Sequence, residues 1–364
     1  MQWRHRPRSR SRSGVLAASA VVLAVAACSP APPTNYGQEP RTSQPALGPQ
    51  WFGGYLDVTL SPSLRLQDTA LHGAATTVLS FIGAHPKDTC QPSWDGVHTL
   101  DQTGAKLSVD SQITSFRKAG NDIAVSFGGQ LGKELAETCT DLGALVKAYT
   151  AVITKYGLDT LDFDVEGAGL SDHAAAERRA AAAAKLQAER PAVNPLKVWL
   201  TLPVSMEGLT TDGEKSVTAM LDAGVELAGI NIMVMDFEPL APGQTMLAAA
   251  KSAAEATHQT LRALYEKAGK PLEDAALWQR IGLTPMIGMN DVKGQVFTLA
   301  DAEGLNSFAV ERGIGRMSMW SLNRDFACTS SSRPEEGSSA SSNCSGVTQA
   351  PGMFAKLLGK SLTG

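Results

Sequence analysis

The sequence predicts an α/β chain folded as one (β/α)8 TIM barrel, and three observations lead there. Short apolar runs alternate with helical patterns eight times. The alternation spans about 280 residues, where one barrel typically takes ~250. No Gly-rich phosphate fingerprint follows the first strand, as a doubly wound open sheet would require. The strands are expected at residues 51–58, 76–83, 122–127, 160–166, 197–202, 229–235, 282–286 and 316–320. Helical stretches fall between most of them: 171–190 is Ala-rich, and 243–268 carries long apolar periodicity without Pro.

In chain order, residues 1–27 read as an export leader and stand outside the fold. Arg4, Arg6, Arg8, Arg10 and Arg12 precede an apolar run, 14–27, too short to span a bilayer comfortably. The run ends Val25-Ala26-Ala27-Cys28, which resembles the bacterial lipobox, where the cysteine becomes the acylated first residue. The expectation is a lipid anchor at Cys28 on the extracytoplasmic side of the cell membrane, or secretion. Plain cleavage nearby, with Cys28 incidental, is the alternative. The leader has no adjacent Arg-Arg pair, so general secretion is preferred to a twin-arginine route. Residues 28–50 are Pro-rich, polar and aperiodic, a linker. Loss of the five leader arginines takes the formal charge from −4 to −9. An acidic exported chain is a poor nucleic-acid binder. Nothing after residue 28 resembles a second membrane span.

The barrel is assigned to 51–327, with a C-terminal disulfide loop and a terminal helix packing on it at 328–364. Four cysteines follow the leader, and an exported chain with an even number suggests two disulfides, in any of three pairings. Cys328 and Cys344 flank one Ser-rich loop and are paired first, which leaves Cys90 with Cys139. No spacing is C-x-x-C and the histidines are scattered, so neither a metal nor a cofactor is expected.

The stretch that carries chemistry is 157–167, GLDTLDFDVEG. On a strand, successive side chains point to opposite faces. Leu161, Phe163 and Val165 share one face, and Asp162, Asp164 and Glu166 share the other. Three acids in one file, each roughly 6–7 Å from the next, repel one another. At least one pKa should rise enough for a carboxyl to stay protonated near neutrality.

Asp159-x-x-Asp162-x-Asp164-x-Glu166 resembles the DxxDxDxE signature of family-18 glycoside hydrolases, the chitinase family, in its short bacterial branch. Other marks extend the resemblance over most of 51–350. Ser126-Phe127-Gly128-Gly129 resembles the SxGG element after strand three. Asn231-Ile232-Met233-Val234-Met235-Asp236 resembles the M-x-Y-D element after strand six, with Met235 where many members have Tyr. That Tyr hydroxyl hydrogen-bonds the substrate's acetamido group; a thioether packs against it but cannot donate. Trp320, after strand eight, matches the tryptophan that floors the central sugar site, where a flat ring meets the apolar face of a sugar.

The resemblance implies the barrel independently. It also implies a retaining, substrate-assisted glycoside hydrolase acting on β-1,4 bonds next to N-acetylglucosamine, in chitin oligomers or a related glycan. Glu166 would be general acid and then base, Asp164 would orient the acetamido group, and Asp162 would share a proton with Asp164. Asp236, Met235 and Trp320 would bind substrate. Asp159, at the strand's start, is given structural hydrogen bonds. The partners expected are therefore an N-acetylglucosamine-containing glycan, no nucleic acid, and a membrane only through Cys28, with the chain a monomer. A non-catalytic carbohydrate-binding lipoprotein on the same barrel is the alternative: the intact Glu166 favours the enzyme, and Met235 favours the binder. Trp94 is divided between an outer sugar subsite and packing beside the neighbouring disulfide. Asn290, in 284–291, is divided between substrate contact and shaping its loop. Trp199 and Trp278 are read as core.

Overall fold

The computed structural model describes residues 49–61, 63–71, 73, 75–237, 239–329 and 340–362. The leader, Cys28, all but the last two residues of the linker, and the Ser-rich stretch 330–339 lie outside the described residues. Among the described residues, no helix is long and apolar enough to cross a membrane.

Eight parallel strands close into a barrel. They are β1 (Trp51–Asp57), β2 (Thr76–His85), β3 (Asp122–Gly128), β4 (Thr160–Asp164), β5 (Lys197–Ser205), β6 (Leu227–Met233), β7 (Ile281–Thr284) and β8 (Arg316–Met317). Each pairs with its sequence neighbours, and β1 pairs with both β2 and β8, which leaves no open edge. One principal helix follows each strand: α1 (Leu66–Leu71), α2 (Val109–Lys118), α3 (Leu142–Tyr156), α4 (His173–Ala188), α5 (Thr211–Asp222), α6 (Met246–Lys267), α7 (Leu299–Arg312) and α8 (Met353–Leu358). The terminal helix expected to pack on the barrel is thus its own eighth helix, with Phe354, Ala355 and Leu358 buried.

Local chemistry sets these elements. Asp141, Asp172, Thr210, Thr245 and Thr298 cap α3, α4, α5, α6 and α7 by accepting from a backbone N–H of the first turn, and Thr298 with Asp301 forms a capping box. Leu161, Phe163 and Val165 face the helices and are fully buried, as the alternation predicts. Phe163 meets Phe127 and Tyr149 at ring-centroid distances of 5.5 and 5.3 Å. Burying each such side chain contributes about 1.5–3 kcal/mol.

Several boundaries move. The strand expected at 160–166 ends at Asp164: Val165 N–H still donates to Thr201 O (3.0 Å), but Glu166 already stands at the N-terminal boundary of the short helix Gly167–Ser171. The strand expected at 229–235 ends at Met233, because the chain turns at Asp236 with φ 47°. The strand expected at 316–320 is two residues long; beyond it only a bridge from Trp320 to Met286 continues the pairing. By contrast β2 and β5 overrun the barrel rim, because each folds back in a hairpin, with Asp88–Trp94 and Gly208–Leu209. Both expected disulfides are present, Cys90–Cys139 and Cys328–Cys344. The first fastens the β2 hairpin to the end of the short helix Leu135–Thr138. Trp94 is fully buried there and donates to Tyr156 Oη (3.0 Å), which leaves it no face for sugar.

Candidate active site

The barrel interior is polar. Inward side chains from β1, β3, β4, β5, β6, β7 and β8 form one hydrogen-bonded layer, with Asp162 at its centre. Asp162 accepts from Tyr55 Oη, Ser126 Oγ, Thr201 Oγ1 and Arg316 Nη1, each at 2.7 Å. Asn231 extends the layer by donating to Tyr55 Oη and Thr201 Oγ1 and accepting from Thr284 Oγ1. Arg316 and Asp162 are both wholly buried. Below, the guanidinium lies 5.1 Å from the Trp51 ring and 5.4 Å from the rings of Tyr55 and Trp199, which places Trp199 in the core as expected.

One step up β4 the environment changes. Asp164 is also buried, but its Oδ1 has no hydrogen-bond partner. The carboxyl in hydrogen-bond contact with it is Glu166. The sequence reading pairs Asp164 with Asp162 through a shared proton; here the carboxyl that Asp164 meets is Glu166. The reason is physical: four donors, one of them a buried cation, already saturate both oxygens of Asp162. Burial pushes the Asp164 carboxyl well above its ordinary range, and the negative charges of Glu166 and Asp162 push it further. Burial raises Glu166 to about 7; the hydrogen bond from Asp164 opposes the rise, and Asp236 adds to it. A half-buried carboxyl that gives up its proton near neutrality can act as an acid and then as a base.

The turn after β3 allows this crowding. A Cβ on Gly128 would lie 2.0 Å from Asp164 O, and one on Gly129 would lie 2.7 Å from the Phe81 ring. Both residues have positive φ, 107° and 85°, so glycine is required twice over.

Asp164 and Glu166 open into a cleft at the C-terminal end of the strands, about 550 Å³ of empty space including open solvent. Met235, Asp236 and Trp320 line the same cleft, so every site residue expected from sequence is there except Asp162, which lies directly beneath. Trp320 forms the floor, stacked on Phe81 at 5.5 Å and 25° and edge-on to Tyr55 at 6.1 Å. Asp236 accepts from Val292 N–H (3.0 Å) through Oδ1, and its own N–H donates to Asn290 Oδ1 (3.1 Å). Asn290 is buried and shapes its loop; it is absent from the cleft lining. Asp159 pairs with Arg190 (2.9 Å) away from the cleft, the structural place expected of it. Among the described residues, no group of three or more His, Cys, Asp or Glu side chains is arranged to hold a metal ion.

Sequence reasoning overlooked Tyr55, Phe81, Thr201, Met286 and Arg316. Arg316 left a signal: a lone cation inside an apolar strand needs a buried anion, and the file of acids at 162–166 was there to supply it. Tyr55, Thr201 and Met286 left none, because such residues fill most strands.

No family model matches the chain. A probable bifunctional chitinase/lysozyme of Escherichia coli (strain K12) is 32% identical over 293 residues, covering 78% of this chain and 32% of that protein. Endochitinase 11 of Metarhizium anisopliae is 31% identical over 284 residues, covering 76% and 52% respectively. Among solved structures, the catalytic domain of a hyperthermophilic chitinase from Pyrococcus furiosus superposes with a TM-score of 0.72 at 29% identity, covering 86% of this chain and 94% of that one. The chain spans about a third and about half of the two curated relatives it matches.

Proposed function

The chain belongs to family 18 of the glycoside hydrolases, and from that premise we propose a retaining, substrate-assisted enzyme that cleaves β-1,4 bonds next to N-acetylglucosamine, in chitin oligomers or a related glycan. The observation that carries the mechanism is the pairing of Asp164 with Glu166. Two-carboxylate glycosidases set their acid and its partner about 5–5.5 Å apart when the partner is a nucleophile, and about 6.5–9.5 Å apart when it activates water. Asp164 is in hydrogen-bond contact with Glu166. Its buried, unpartnered Oδ1 instead suits an N–H donor from the substrate.

In the proposed sequence, Glu166 gives its proton to the glycosidic oxygen of the leaving sugar. The acetamido oxygen of the remaining sugar attacks its own anomeric carbon to give an oxazolinium ion. Asp164, left negative once the proton shared by the pair has gone to the glycosidic oxygen, accepts the acetamido N–H and stabilises the cation. Asp162, paired with Arg316, lies below. Water then attacks the anomeric carbon and displaces the acetamido oxygen. Glu166, now a carboxylate, takes the proton that the water loses, and the anomeric configuration is retained. Trp320 carries the sugar ring, Asp236 binds beside it, and Met235 offers apolar contact without a donated hydrogen bond.

Glu166→Gln keeps the shape and removes the transferable proton. Turnover of a fluorogenic N-acetylglucosamine oligomer should fall by about 10²–10⁴, with oligomer affinity by calorimetry retained. Wild-type activity should decline as pH rises through about 7, where Glu166 loses its proton. Cleavage left intact by the substitution discards Glu166 as the acid; binding without any wild-type cleavage gives the case to a carbohydrate-binding protein.

The proposal includes export as a monomer with a lipid on Cys28, supported by the Arg-rich leader and Val25-Ala26-Ala27-Cys28. A fatty-acid probe should label the wild type and miss Cys28→Ser; equal labelling contradicts it.

A further inference from the structure

Asp236 has φ 47°, in the left-handed region. A residue with a Cβ stays there only where its surroundings over-determine it. Two buried amides do so. Asn290 Oδ1 accepts the N–H of Asp236 itself (3.1 Å), and Gln295 grips the next residue on both sides, accepting from Phe237 N–H (3.1 Å) and donating to Phe237 O (2.7 Å). The two amides are tied together, since Asn290 N–H donates to Gln295 O (3.0 Å). Asn290 is fixed in turn by its donations to Met286 O (2.9 Å) and Gly288 O (3.1 Å).

Their loop is held from outside by the C-terminal segment. Met289 N–H donates to Ser345 O (2.7 Å), and Arg324 Nη2 donates to Ile287 O and Met289 O (2.9 and 2.5 Å). Ser345 follows Cys344 of the Cys328–Cys344 disulfide. A chain of direct bonds therefore runs from that disulfide, on the outside of the barrel, to a carboxylate in the cleft.

We infer that Asn290 and Gln295 are positioning residues that fix the backbone of Asp236, and through it the place of its carboxylate beside Glu166 and the bound sugar. The C-terminal segment after β8 is the brace that holds them, which gives it a part in the site. The inference rests on the proposed roles of Glu166 and Asp236, so its test is made independent of turnover.

The groups facing Glu166 are Asp164, in hydrogen-bond contact, and Asp236, by charge. Those facing Asp236 are Asp291 and Arg324. If Asp236 swings away from the cleft, Glu166 loses a neighbouring negative charge and its pKa falls. The experiment is a carboxyl ¹³C titration of Glu166 in wild type, Asn290→Ala, Gln295→Ala, Asp236→Asn and the double variant Asn290→Ala/Asp236→Asn. Both alanine variants should titrate lower than wild type by about half a pH unit or more, in the direction of Asp236→Asn. Asn290→Ala should add nothing further once Asp236 is Asn. Oligomer affinity by calorimetry should weaken about tenfold in both alanine variants. Wild-type titration in the alanine variants overturns the inference, and so does a further shift in the double variant. Should Asn290→Ala not fold, Gln295→Ala, which releases the next peptide, carries the same test. A wild type that hydrolyses nothing would refute the proposed function and leave the titration readable.

Discussion

Asp162 and Asp164 stand two residues apart on one strand and face the same interior, yet they occupy opposite situations. Asp162 has four hydrogen-bond donors and a buried guanidinium. Asp164 has one oxygen with no partner and another that meets a second acid. Buried polar atoms are normally satisfied, and this unsatisfied one belongs to a residue that lines the cleft, where a substrate donor can reach it. The Asp162 carboxylate, in the lower layer, is saturated as soon as the chain folds, whereas Asp164 Oδ1, in the upper layer, is left for a donor that the substrate brings.

Breaking the lower layer should have the largest effect. Arg316→Met removes the cation and leaves Asp162 buried with its charge uncompensated, which should cost about 3–5 kcal/mol of stability. The loss would be read in chemical denaturation, and a near-neutral result would mean that Arg316 only fills space. Breaking the upper layer should leave the fold alone. Asp164→Asn removes a carboxyl that has no cation of its own, so the thermal midpoint should hold or rise. Turnover should nonetheless fall about 10²–10³, the usual worth of one preorganised electrostatic group. A variant that unfolds, or one that keeps full turnover, would erase the distinction between the two aspartates.

The same division explains what could be read from sequence. The apolar face of β4 and the acids opposite were legible because strand alternation is strict, and the closed barrel followed from the count of alternating elements. Asp236, Met235 and Trp320 were legible as residues just past strand ends. The strand ends themselves were misplaced by up to three residues, at β5, which runs on into a hairpin, and at β8, where pairing gives way to a bridge; periodicity encodes neither. The partners of the acids were hidden for a different reason. Tyr55, Thr201 and Arg316 sit on strands 107, 39 and 154 residues from Asp162, and barrel closure alone brings them together. The contact of Asp164 with Glu166 was not legible because spacing along a strand cannot say which neighbour is already saturated.

The most direct test of the upper layer asks whether its empty oxygen serves an acetamido group. Partially deacetylated N-acetylglucosamine oligomers can be digested and the new reducing ends sequenced by mass spectrometry. If Asp164 accepts the N–H of an attacking acetamide, every new reducing end carries the acetyl group. New reducing ends bearing free amines in the proportion present in the substrate would contradict substrate assistance and return Asp164 to the search for a role.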